Sequence, residues 1–139
     1  MIYTRINLFN TYYQTKDFAK LIHNPNLDEL KDIYIKYCKH KKFKSIQPLF
    51  EYEIQDNLIM GYEHEGKLVA FTMLRRLDKK NIESFQFAWD YEAPELKIGI
   101  LSLKHEIAWA KENGYNYLYM GLDDRYKRNF DGYEQCPPA

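Results

Sequence analysis

The sequence predicts an α/β domain built on a mixed, mainly antiparallel sheet flanked by helices. Three patterns carry that prediction. Residues 57–63 and 67–77 read as two strands joined through His64-Glu65-Gly66, an antiparallel hairpin. Residues 82–121 read as strand, loop, long helix and strand, a βαβ unit whose crossover is expected to be right-handed. Residues 27–40 place Leu30, Ile33, Tyr34 and Tyr37 at helical spacing. At 139 residues the chain reads as one domain, 1–139. A chain of that size buries roughly two thirds of its unfolded surface, enough for a core without staples.

Taken in order, residues 2–9 alternate, with Ile2, Thr4 and Ile6 on one side, and predict a first strand. Residues 10–17 form a polar and aromatic turn toward a short helix over 18–23, which Asn24-Pro25-Asn26 ends. Asn26 is placed to cap the next helix, with Glu29 three residues on. That helix closes on Lys39-His40-Lys41-Lys42. The run reads either as a phosphate or RNA contact or as a solvated helix end whose cations suit the dipole. Gln47-Pro48 opens a short helix or irregular segment ahead of the hairpin. Asp78-Lys79-Lys80-Asn81 then turns the chain into strand 82–91, rich in aromatic residues and free of Gly and Pro. Pro94 fits the first position of the long helix. Leu96, Ile100, Leu103, Ile107 and Ala110 form its apolar stripe, and Asn113-Gly114 stops it. Residues 115–120 make a second aromatic strand. Its Tyr115, Tyr117 and Tyr119 either floor a cleft or pack under a helix. Residues 123–139 are polar and irregular after a helical turn at 125–130.

The charges balance, 20 basic against 20 acidic, so global electrostatics favour no class of partner. Cys38 and Cys136 lie far apart with no CxxC pattern, and reduced thiols are expected. His23, His40, His64 and His105 show no metal-ligand spacing, so no metal is expected. Neither a Walker loop nor a nucleophile elbow occurs. The first residues lack an apolar run behind a basic start, and no stretch approaches the ~20 apolar residues that span a bilayer. A cytoplasmic protein with no membrane association is the expectation.

This element order resembles that of the GNAT acyltransferases, the acyl-CoA N-acyltransferase fold. The resemblance is sharpest at Gly66-Lys67-Leu68-Val69-Ala70, at Lys97-Ile98-Gly99 and at the helix end from Ile107 to Gly114. Within that superfamily, residues 28–133 are most similar to the catalytic half of the arginyl and leucyl aminoacyl-tRNA–protein transferases. The shared run includes 30–37, Tyr119-Met120-Gly121 and Arg125-Tyr126-Lys127. There are departures. Enzymes of this fold that use acetyl-CoA carry R/Q-x-x-G-x-G/A at the helix start, whereas here only the last glycine, Gly99, is kept. Glu92 and Glu95 add negative charge where a pyrophosphate would lie, which Lys97 offsets in part. Asp123-Asp124 replaces a Cys-Pro pair of the transferases, and the C-terminus leaves little room for two final strands.

The resemblance implies attack of an amine on a thioester or ester carbonyl. The donor would be acetyl-CoA, the superfamily default, or aminoacyl-tRNA, the donor of the most similar transferases. It implies carbonyl polarisation by backbone N–H groups around Phe87, Ala88 and Trp89, and donor binding at the helix tip formed by Lys97, Ile98 and Gly99. Tyr126 is the candidate acid for the leaving group, with a core ring as the alternative. Asp90, Asp123 and Asp124 are candidate bases or amine anchors, with solvated turn carboxylates as the alternative. The implied partners are an acyl donor, an amine acceptor and tRNA. A non-catalytic binding module on the same fold is the competing function, and oligomeric state is left open, a homodimer included.

Overall fold

The computed structural model describes residues 3–43, 57–122 and 124–136. The chain runs β1 (Tyr3–Asn7), β2 (Ala19–Leu21), α1 (Leu27–Lys41), β3 (Leu58–His64), β4 (Lys67–Arg76), β5 (Asn81–Trp89), α2 (Ile98–Glu112), β6 (Tyr117–Leu122) and β7 (Tyr133–Cys136). The strands form one seven-stranded sheet in the order β2-β3-β4-β5-β6-β1-β7. Every neighbouring pair is antiparallel except β5 and β6, which are parallel. This is the mixed, mainly antiparallel sheet flanked by helices of the GNAT fold.

Alternation along β3 and β4 sorts the core into two layers. Ile59, Phe71 and Met73 meet Leu30, Ile33, Tyr34 and Cys38 of α1 on one face. Met60, Tyr62 and Leu74 meet Leu103, Ile107 and Ala110 of α2 on the other. A strand covered on both faces has no solvent side, so β4 is apolar almost throughout. Among the described residues, no helix is long and apolar enough to cross a membrane.

The Asn26 cap is as expected: its side-chain oxygen accepts from the N–H groups of Asp28 (3.1 Å) and Glu29 (3.3 Å). Several expectations are corrected. Residues 18–23 are not helical. Ala19–Leu21 forms the edge strand β2 against β3, because too few residues precede the Asn24-Pro25 break to make a helix that could bury a face. Pro94 opens a separate 3-10 turn, Pro94–Leu96, and does not begin the long helix. Lys97, at φ 52°, turns the chain between that element and α2. Ile100 is 41% exposed, so the buried stripe of α2 runs through Ile98, Leu103, Ile107 and Ala110. The second aromatic strand starts at Tyr117, leaving Tyr115 to stack on Trp109. The Arg5 guanidinium covers Tyr117, 3.9 Å from its ring centre, and Arg5 also donates to the Tyr119 hydroxyl at 3.2 Å. The C-terminal residues do find room for a strand, β7, which pairs with β1. The segment opening at Gln47-Pro48 lies outside the described residues.

Gly132 makes the turn into β7. It has φ +76°, and a Cβ there would collide with the Asn7 carbonyl oxygen. Gly132→Ala is therefore expected to lower folding stability by about 2 kcal/mol, measured by urea unfolding, because strain and a backbone clash add at one position.

Candidate active site

The site arises from a split in the sheet. Parallel pairing of β5 with β6 covers only Asn81 with Tyr117, Ile82 with Leu118 and Glu83 with Tyr119. β5 then continues to Trp89 paired with β4, while β6 stays with β1. The gap opens into a cleft of about 310 Å³. Its walls include Ser84 and Phe87 of β5, Gly99 and Glu106 of α2, Tyr37 of α1, and Tyr126.

Ladder alternation decides which backbone groups face the gap. The Asp90 N–H donates to the Val69 carbonyl at 3.0 Å, which makes that a hydrogen-bonded pair. In the same register, Ala88 opposite Phe71 is also a bonded pair, whereas Phe87 opposite Thr72 and Trp89 opposite Ala70 are non-bonded pairs. The N–H groups of Phe87 and Trp89 therefore point away from β4, toward the split. The amide of Ala88 is committed to the ladder, and its side chain is buried under α1.

The first turn of α2 meets the same cleft. The amides of Ile100 and Leu101 bond the Lys97 carbonyl at 3.1 and 3.2 Å, and Lys97 supplies no side-chain cap. The Ile98 and Gly99 N–H groups have no intrahelical partner, as at any helix start. Ile98 buries its side chain in the core and offers only its amide. Gly99 lines the cleft, and a Cβ there would meet nothing within 4 Å. Glu92, expected to repel a phosphate, is held between Lys67 and Lys36, each at 3.0 Å, which keeps its carboxyl below the usual range. The basic end of α1 lies near Tyr37 of the cleft wall. Lys41 lies about 6 Å from the rings of both Tyr37 and Tyr91, and His40 stacks on Tyr91 at 3.7 Å.

Glu106 is the residue that the sequence reading missed. It is 2% exposed yet lines the cleft. Its Oε1 accepts from Ser84 at 2.7 Å, and its Oε2 accepts from Tyr62 at 3.0 Å and Thr72 at 3.2 Å. Burial pushes its carboxyl up to about 7, against the opposing pull of these hydroxyls. The available signal was the row Ser102, His105 and Glu106, at helical spacing on the buried side of an otherwise apolar helix. His105 itself is a core histidine. Its Nδ1 accepts from the Lys16 N–H at 2.9 Å, and burial lowers its imidazole to about 4.

Tyr126 stands on the 3-10 turn Arg125–Asn129. Lys127 Nζ donates to the Met120 carbonyl at 2.8 Å and ties that turn to β6. The Tyr126 ring meets Phe130 edge-on. Although 44% of Tyr126 stays exposed, partial burial and nearby Asp124, Glu106 and Tyr91 push its phenol up to about 12. The split thus brings together Phe87, Gly99, Tyr126 and Glu106. Asp90 and Trp89 line a different cavity, and Lys97 lines neither. Asp123 lies outside the described residues.

The sequence model of the family described as "Arginine-tRNA-protein transferase, C terminus" matches residues 4–136. The chain belongs to this family. No curated protein sequence matches it. Among solved structures, the family member resembles L-PGS from Bacillus licheniformis, with TM-score 0.67 and 18% identity over 87% of this chain and 46% of that one. It also resembles a GNAT family acetyltransferase from Elizabethkingia anophelis with acetyl-CoA bound, with TM-score 0.58 and 18% identity over 78% of this chain and 68% of that one. A third likeness is the N-myristoyltransferase of Saccharomyces cerevisiae with bound myristoyl-CoA, with TM-score 0.60 and 13% identity over 88% of this chain and 42% of that one. At these identities the likenesses show the fold. The chain spans just under half of the L-PGS structure. Among the described residues, no group of three His, Cys, Asp or Glu side chains could hold a metal ion.

Proposed function

We propose that this domain transfers an aminoacyl group from the 3′ end of an aminoacyl-tRNA to an amine, with the reaction in the split between β5 and β6. The observation that carries the reading is a buried carboxylate, Glu106, in the wall of that split with its pKa near neutrality. An N-terminal α-amine titrates at about 7.7–8.0, so Glu106 is matched to take its proton. The amine nitrogen bonds to the ester carbonyl carbon, and the Phe87 and Trp89 N–H groups stabilise the charge that develops on the carbonyl oxygen. The C–O bond to the ribose then breaks, and Tyr126 hands its proton to the leaving oxygen.

Two features favour an ester donor over acetyl-CoA. A thiolate, from a thiol of pKa about 8.5, leaves without a proton, so a phenol raised to about 12 adds little. A ribose alkoxide is far more basic and needs that proton. The helix start also lacks the glycines that let a pyrophosphate approach its backbone, and Lys97 presents a Cβ there. Family membership supports the same donor. The Lys39–Lys42 run at the end of α1 would meet the acceptor-stem phosphates.

Calorimetric titration with charged tRNA, uncharged tRNA and acetyl-CoA tests the proposal. Charged tRNA is expected to bind, with affinity falling steeply as salt rises. Preference for acetyl-CoA would return the chain to the superfamily's default donor. Binding of neither would leave a non-catalytic module.

A further inference from the structure

A second cavity, of about 440 Å³, lies beside the end of β5 and the Pro94–Leu96 turn. It includes Asp90 and Trp89 and shares no lining residue with the transfer cleft. Its polar wall is mainly acidic, with Glu65, Asp90, Glu92 and Glu95 beside Lys67 and His64. Its apolar wall includes Val69 and Trp89.

The telling atom is Asp90 Oδ2. Asp90 is 8% exposed, and its Oδ1 accepts from the Glu92 N–H at 3.0 Å. Oδ2 is fully buried and has no hydrogen-bond partner. A buried carboxylate oxygen without a donor is costly, so its persistence calls for a group that supplies one. Lys67 does not: its ammonium donates to Glu92 at 3.0 Å and makes no bond to Oδ2. An anion is disfavoured by four carboxylates. A metal ion lacks a converging set of three ligands among the described residues. An organic cation meets each condition: N–H donors for the Asp90 carboxylate, charge for the acidic wall, and an alkyl stem for Val69 and Trp89.

We propose that this cavity is a binding site for a primary ammonium or guanidinium group on a short alkyl stem, held by Asp90 and Trp89. The inference does not depend on the transfer chemistry, because it uses a different cavity and different side chains. The chain has two tryptophans, so the indole N–H resonances of Trp89 and Trp109 provide a reporter and an internal control. Titration with n-butylamine and with agmatine is expected to move the Trp89 resonance saturably and to leave Trp109 unmoved. n-Butanol, of the same shape without the charge, is expected to move neither. Asp90→Asn keeps an acceptor for the Glu92 N–H and is expected to weaken amine binding at least about tenfold. An equal response to butanol, no saturable response to either cation, or unchanged affinity in Asp90→Asn would each overturn the proposal. The comparison of amine with alcohol needs no substitution, so a poorly folded variant leaves the test intact. Stronger binding of agmatine than of butylamine would identify the preferred ligand as a guanidinium, and the reverse order as an ammonium.

Discussion

Glu106→Gln is expected to lower the rate of aminoacyl transfer by about 10²–10⁴-fold, the usual contribution of a positioned general base. The substitution keeps the shape of the side chain: its amide oxygen can still accept from Tyr62 and Thr72, and its NH2 can donate to the Ser84 hydroxyl, so the cleft should survive it. The wild-type rate should climb with pH and level off above about 7, as the carboxyl loses its proton. In the variant that limb should disappear, with no midpoint near neutrality. Stability should move the other way. The folded chain holds the Glu106 proton more tightly than the unfolded chain, with a pKa of about 7 against 4.5. That advantage is complete below pH 4.5 and is lost as pH rises through 7, at a cost on the order of 3 kcal/mol. Glu106→Gln removes the cost. It should therefore be more stable than wild type in chemical denaturation at pH 8, with the difference closing below pH 4.5. A gain in stability paired with a loss of rate is the mark of a group kept for chemistry.

Gly99→Glu is expected to weaken donor binding by about a hundredfold while the domain stays folded. Space beside Gly99 is open, so the longer side chain enters the cleft rather than the core. Its charge would face the donor's phosphates, and like charges brought together across an interface cost several kcal/mol. A carboxylate at a helix start suits the dipole, so folding should not suffer. Gly99→Ala separates the two effects. Its methyl meets nothing, and a helical glycine replaced by alanine gains roughly 0.5–1 kcal/mol, so donor affinity should hold while stability rises slightly. Unchanged donor affinity in Gly99→Glu would put the phosphates elsewhere.

What could be read ahead of the structure was what local pattern controls. The hairpin β3–β4, the capped α1 and the β5–α2–β6 unit each announce themselves through periodicity and turn residues within a few positions. β2 and β7 do not. They have three and four residues, and their stability comes from partners far along the chain, β3 and β1. The break between the Pro94–Leu96 turn and α2 depends on left-handed Lys97, a conformation that no residue preference for lysine foretells. The site divides in the same way. Phe87 and Gly99 could be named ahead of the structure because strand and helix ends are set by topology, and both line the cleft. Glu106 was missed because its role depends on hydroxyls from three strands, Tyr62 of β3, Thr72 of β4 and Ser84 of β5, that meet only in the folded sheet. Asp90 follows Trp89 directly at the end of β5, but it lines the second cavity and not the split.

The transfer account stands or falls on what occupies the opening between β5 and β6. Amide chemical-shift mapping with a non-hydrolysable 3′-aminoacylamido-adenosine addresses this directly. The predicted result is that the largest changes fall on the backbone N–H groups of Phe87, Trp89 and Gly99, with little change across β1 and β7. Saturable binding whose changes bypass those three amides would contradict it.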